Sequence, residues 1–167
     1  VYSNTSFVKD IKAKTSLNAG KELGEKLLLG FKDIRRVLSI IFSDGLMDEG
    51  SNFINGLQEK LGKSFPLAGA SASDNMRFLK TYVYFNQDIF TDSAVGLLLG
   101  GKLNFGLGIK HGWKPLGKPR TVTKSQGNII YEIDSLPAAK IYEEYLDRNI
   151  IQLRKELKRI SILYPLG

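Results

Sequence analysis

A chain of 167 residues with 43% hydrophobic residues and 17 glycines can bury a sizeable core, and its composition excludes a disordered or fibrous class. It has no cysteine, which removes disulfides, thiolate nucleophiles and cysteine-based zinc or iron–sulfur sites, and fits a reducing, cytoplasmic setting. The net charge of +7 is spread along the chain and not gathered into a groove-tracking stripe, which argues against nucleic acid as a partner.

No apolar run reaches the ~18–20 residues that span a bilayer. The opening Val1-Tyr2-Ser3-Asn4 lacks the charged-then-apolar layout of a signal peptide. Membrane insertion is therefore not expected. The chain opens on Val1 instead of Met and stops at Tyr164-Pro165-Leu166-Gly167 without a polar tail, which reads as an excerpt of a longer protein.

In residues 19–30, Leu23, Leu27 and Leu28 fall on one face of a predicted helix, with Asn18 as its cap. Val37 to Phe42 is a near-continuous apolar run of strand length, which predicts a strand covered on both faces. Ser43-Asp44-Gly45 ends it. Phe53, Ile54, Leu57 and Leu61 predict a second amphipathic helix closed by Gly62, and Phe65 to Ala72 a further strand, so this stretch has the order of a crossover.

Beyond residue 80 the texture becomes β-rich. Thr81 to Phe85 predicts a strand followed by a turn at Asn86-Gln87. Ala94 to Leu99 predicts another, with Gly100-Gly101 as a hairpin turn into a partner at Leu103 to Ile109. In that partner Phe105, Leu107 and Ile109 would share one face. Gly106 and Gly108 would share the other, where a second backbone or a ligand could approach closely. After the Gly/Pro-rich segment 111–120, short strands are expected at Arg120–Lys124 and Asn128–Ile133. Asp134-Ser135-Leu136-Pro137 then reads as a helix start, with Ala138, Ile141, Tyr142 and Tyr145 as the apolar face. A last helix turns Ile150, Leu153, Leu157 and Ile160 inward and the basic cluster Arg148, Arg154, Lys155, Lys158 and Arg159 outward. The expected fold class is α+β: a strand-helix-strand start, then an antiparallel β meander with flanking helices.

Few groups here can do chemistry. His111 is the sole histidine, set beside Gly112 and Trp113 at the expected end of a hairpin strand, and serves either as a ligand-facing group with an aromatic wall or as a structural hydrogen-bonding residue. Pairing it with Ser43 or Ser71 would make a hydrolase, but the chain has no Gly-x-Ser-x-Gly elbow. Asp44, Asp48 and Glu49 have the spacing of acids that cap and complement a helix start more than that of a hard-cation site, so no metal is expected. Gly96 to Lys102 has P-loop spacing, yet Leu103 stands where a metal-binding Ser or Thr belongs; Gly106-Leu107-Gly108 opens no helix, which excludes a dinucleotide fingerprint.

One ordered set of motifs goes further. His111-Gly112-Trp113-Lys114-Pro115-Leu116-Gly117, Val122-Thr123, Ile129 to Tyr131, and Leu136-Pro137-Ala138-Ala139 with Tyr142 resemble the FIST family, as do Ser43-Asp44-Gly45, Gly69-Ala70-Ser71-Ala72 and Thr91 to Val95 upstream. Ser93 stands where that family often has Gly. The resemblance runs from about residue 19 to 167, with residues 1–133 as part of the N-terminal FIST region and 134–167 as the start of the C-terminal one. It implies a cytoplasmic sensory domain that binds a small ligand such as an amino acid, needs no cofactor, is not itself an enzyme, and signals to a downstream domain or protein. The ligand-binding residues expected on this reading are His111, Gly112, Trp113, Asp44, Gly69 and Ser71. The alternatives are the Ser/His hydrolase and a protein-docking module built on the basic final helix.

Overall fold

The computed structural model describes residues 1–127 and 129–166, apart from the side chains of Leu157, Lys158 and Ser161. Two compact units divide after Lys110. The chain is α+β, as expected.

The first unit holds β1 (Tyr2–Lys9), α1 (Ile11–Lys14), α2 (Ser16–Leu28), β2 (Arg36–Ser43), α3 (Gly50–Leu61), β3 (Leu67–Ser71), β4 (Val83–Phe85), β5 (Asp88–Phe90) and β6 (Ser93–Gly100). Its main sheet has the order β1-β6-β2-β3. The expected strand–helix–strand unit is β2-α3-β3, with the two strands parallel from Ser39↔Leu67 to Ser43↔Ser71. Strand β6 lies antiparallel to both β1 and β2.

That placement overturns the hairpin expected at Gly100-Gly101. A strand has two hydrogen-bonding edges, and β1 and β2 occupy both edges of β6. Gly101 takes the left-handed conformation (φ 88°) and its N–H donates to the Arg35 carbonyl at 2.8 Å, so the chain leaves the sheet there. Residues 103–109 consequently form no strand; Phe105, Leu107 and Ile109 are exposed, and nothing lies within 4 Å of where a Cβ would stand on Gly106 or Gly108.

Helices α2 and α3 pack together against the sheet. Val8, Leu23, Leu27, Ile41, Phe53, Leu57, Leu61 and Leu98 are all buried between them and the strands, whereas Ile54 turns partly to solvent. The helices approach so closely because glycines face each other: a Cβ on Gly20 would strike the Phe53 carbonyl, and one on Gly56 the Leu17 carbonyl. The cap of α2 is Thr15, not Asn18; the Thr15 hydroxyl accepts from the Asn18 N–H at 3.4 Å. At its other end the Asn4 side-chain amide, reaching from β1, donates to the carbonyls of Lys26, Leu27 and Leu29 at 3.0, 3.0 and 2.9 Å. The Arg36 guanidinium likewise donates to the Leu61 carbonyl that ends α3, at 3.3 Å. The β4–β5 hairpin turns at Asn86-Gln87 and stacks Phe90 on Phe7 of β1 at 4.9 Å between ring centroids.

The second unit contains β7 (Val122–Gln126), β8 (Ile129–Ile133), β9 (Leu136–Pro137), α4 (Lys140–Leu146) and α5 (Ile150–Leu163). Leu136-Pro137 is a strand, not the first turn of a helix. Asp134 and Ser135 both take positive φ (52° and 63°), the signature of a tight two-residue hairpin turn, and so place Leu136 opposite Ile133. Arg120 ties the unit together, with ion pairs to Asp134 at 3.2 Å and Glu144 at 2.9 Å. Leu153 and Ile160 face inward on α5, whereas Ile150 is exposed; of the basic cluster, Arg148 pairs with Glu156. The expected inward Leu157 and outward Lys158 side chains, and the expected strand start at Asn128, lie outside the described residues. Among the described residues no helix is long and apolar enough to cross a membrane.

The glycine contact between helices makes a stability prediction. Gly20→Ala or Gly56→Ala should each destabilise the chain by about 1–3 kcal/mol, since backbone has to move aside. Gly50→Ala, where nothing lies within 4 Å, should be neutral or slightly stabilising. Urea denaturation of the three variants measures the contrast.

Candidate functional site

The parallel strands β2 and β3 end side by side at Ser43 and Ser71, and the chain leaving β2 enters α3 at Gly50. A cavity of about 590 Å³ lies along this region. Ser43, Asp44, Gly45, Ser51 and Ser71 line its polar end, while Ile41, Phe53, Phe65 and Leu67 supply an apolar wall. Three residues singled out from the sequence, Asp44, Gly69 and Ser71, therefore meet at one site.

Their roles differ. Asp44 is buried, and its carboxylate accepts three hydrogen bonds: Oδ1 from the Leu46 N–H at 2.7 Å and the Thr81 hydroxyl at 2.6 Å, Oδ2 from the Asp92 N–H at 2.7 Å. Its own N–H donates to the Ser93 carbonyl at 2.9 Å, and Thr81 Oγ1 accepts from the Gly45 N–H at 3.1 Å. Asp44 thus braces the rim, with about one acceptor position left for a ligand. The helix-capping role expected of the acids fails: Glu49 sits at the cap of α3 but its carboxylate takes the Asn52 amide at 2.7 Å, and no side chain caps the helix N–H groups. Among the described residues, no group of three metal-ligating side chains gathers anywhere.

Gly69 has a packing reason to be glycine. A Cβ there would run into the Ile41 carbonyl of the neighbouring strand, and one on Gly45 into the Ala72 carbonyl. Ser43 Oγ and Ser71 Oγ lie 3.4 Å apart, each able to donate to the other. Two hydroxyls in contact supply no base, and a serine nucleophile needs one within hydrogen-bond reach.

His111, Gly112 and Trp113 belong to the second unit and head it in an irregular, exposed segment. The strand expected to end at His111 is absent, and Trp113 is 52% exposed. Gly117, in the same segment, has a clear structural duty: it takes φ 79° and lies against the Tyr145 ring with no room for a Cβ.

Sequence reasoning missed Asp74. Its carboxylate accepts the N–H groups of Arg77 and Phe78 on Oδ1, both at 3.0 Å, and of Leu79 and Lys80 on Oδ2, at 2.7 and 3.1 Å. Around it Asn75, Met76 and Phe78 all take positive φ, an uncommon cluster for residues with side chains. The bond from Leu79 contributes most, and the four together hold the Asp74 carboxyl below its ordinary range. This loop delivers Thr81 to Asp44. The Asp-Asn pair at 74–75 was the available signal, since both residues favour such turns.

Asp44→Ala should leave the buried Thr81 hydroxyl and two loop N–H groups without their partner and cost about 2–4 kcal/mol, measured by thermal unfolding. Asp74 has a lowered pKa, so its contribution is complete above the ordinary aspartate value of about 3.9 and disappears as pH falls through the lower folded value. Amide exchange corrected for intrinsic rates should show residues 77–80 protected at neutral pH, losing protection in acid and in Asp74→Ala at any pH.

The model of the FIST N domain matches residues 2–135, reaching further toward the N-terminus than the motifs do. An uncharacterized protein of Methanocaldococcus jannaschii is 28% identical over 165 residues, which takes in 89% of this chain and 32% of the relative. The chain thus spans about a third of that relative's length. No solved structure matches it significantly. With most of its length covered by the domain model, the chain belongs to the FIST family, a family of sensory domains in signal transduction.

Proposed function

We propose that the first unit binds a small polar ligand of amino-acid size in the cavity at the ends of β2 and β3, and that occupancy is signalled to a downstream domain or protein. The observation that carries this reading is the cavity itself: about 590 Å³, within the range of small-molecule sites, with an apolar wall and a few polar groups at one end. In open α/β sheets ligands collect outside the carboxyl ends of parallel strands, because the chain turns there into loops and helix starts. An amino acid fits this distribution of groups. Its carboxylate would meet the uncapped N-terminus of α3 beside the Ser43 and Ser71 hydroxyls, its ammonium the remaining acceptor position of Asp44, and its side chain the Phe53–Phe65 wall.

Gly69 would contribute its backbone to the cavity wall, its α-carbon held against the Ile41 carbonyl. His111, Gly112 and Trp113 are proposed as ligand-binding residues of the second unit, tested separately. On the same reading the domain is a cytoplasmic, non-enzymatic sensor without a cofactor; its N-terminal family region ends near residue 133 and residues 134–167 open the next. Signalling requires the ligand to bind one conformational state better than another. No specific observation favours the hydrolase alternative.

The test is a thermal-shift screen of the chain against amino acids and common metabolites. A true ligand at about 100 times its dissociation constant adds about 2.7 kcal/mol of stability. Ser71→Ala should weaken that ligand roughly 3- to 10-fold, the worth of one hydrogen bond. A flat screen, or a ligand indifferent to Ser71→Ala, would overturn the assignment of this cavity. His111→Ala with Trp113→Ala decides the second unit's residues in the same assay: unchanged affinity removes them.

A further inference from the structure

The opposite end of β2 carries a second cavity, also of about 590 Å³. The loop between α2 and β2 builds it, with Phe31, Ile34 and Phe65 as apolar floor and Lys32, Arg35 and Arg36 as rim. No carboxylate lines it. We propose that this is a binding site for a small organic anion with a flat apolar body, distinct from the ligand site proposed above, with which it shares Phe65.

The competing explanation for cations here is structural. Both α2 and α3 end at this side, and exposed helix carbonyls attract positive charge by themselves. Arg36 answers to that demand, because its Nη1 donates to the Leu61 carbonyl. The end of α2 is met otherwise: Asn4 takes the carbonyls of Lys26, Leu27 and Leu29, and the Phe31 N–H takes that of Leu28. Lys32 and Arg35 are surplus to the helix ends, and neither enters an ion pair among the described residues. Three like charges around one concavity repel each other, and an anion seated between them relieves that repulsion.

The floor selects the rest of the ligand. Phe31 is almost fully buried and held by main-chain bonds on both sides, from its N–H to Leu28 and from the Ile34 N–H to its carbonyl. Phe65 lies under the Arg36 guanidinium, 5.8 Å from the ring centroid. The Arg35 backbone is fixed by the Gly101 N–H. A rigid aromatic floor under a cationic rim suits a flat body bearing one anionic group, and rejects a neutral aromatic or a bare inorganic ion, each of which meets only half of it.

The experiment uses the whole chain and 2-naphthoate as probe, followed by backbone amide shifts. Saturable shifts confined to residues 28–36 and 65, weakening with added salt, are expected. Neutral 2-naphthamide and inorganic phosphate should each bind roughly tenfold more weakly. The double variant K32Q/R35Q should lose roughly 3- to 10-fold in naphthoate affinity, leave naphthamide unchanged and keep the parent's melting temperature, since both side chains are solvent-exposed. Equal binding of naphthoate and naphthamide, unchanged affinity in K32Q/R35Q, or shifts gathered around Ser43 and Ser71 would each overturn the proposal. The last outcome would move the probe to the other cavity without touching the amino-acid reading there.

Discussion

A carboxylate taken out of water has to find its hydrogen bonds inside the protein, and at Asp44 that requirement gathers three distant parts of the chain. The end of β2, the approach to β4 through Thr81 and the turn into β6 through Asp92 all converge on its two oxygens. The β2 end of the candidate site is therefore not a free loop. Its shape is fixed by a buried polar knot, whose partners cost free energy if left unmet. Asp74 does a related job one loop away, at the surface, by winding residues 75–80 around its carboxylate so that Thr81 arrives where Asp44 needs it.

Above this frame the helices sit close because backbone meets backbone. The glycines at 20 and 56 allow α2 and α3 to touch at their main chains, which brings Leu23, Leu27, Phe53 and Leu57 together over Ile41 and Leu98. The same arrangement carries both helix C-termini to one side of the sheet and the start of α3 to the other. One end therefore presents N–H groups without partners and the other a cationic rim, and the two cavities share the Phe65 side chain. The free N–H groups at the start of α3 follow from helix polarity, whereas Lys32 and Arg35 exceed what the helix C-termini require.

The helices α2, α3 and α5 and the strands β2, β3 and β6 were legible in the sequence because each carries its own periodicity or an uninterrupted apolar run. What escaped was set by distant partners. Strand β1, with Ser3, Asn4, Thr5 and Ser6, has no apolar rhythm and exists because β6 offers it an edge. Residues 103–109 alternate well and still form no strand, since both edges of β6 were already taken. Pro137 has the sequence setting of a helix start, but the left-handed pair at Asp134-Ser135 makes a hairpin turn there. At the site, Asp44, Gly69 and Ser71 could be singled out by their place at strand ends. Their duties could not, because Thr81, Asp92 and the Ile41 carbonyl are far from them in sequence. His111 drew notice for what imidazole can do, and nothing about its surroundings could be read from its neighbours.

The pairing of β1 with β6 also sets the contact order of the sheet. β1 borders β6 with nearly all of the unit's chain between them, and the Asn4 amide that closes α2 belongs to β1. β2, α3 and β3 follow one another and can associate locally, whereas β1 has no edge to join until β6 is in place. Closing so long a loop carries an entropic cost that the local unit does not bear. Without β1, β6 would leave one hydrogen-bonding edge open, the kind of edge on which a foreign strand can add.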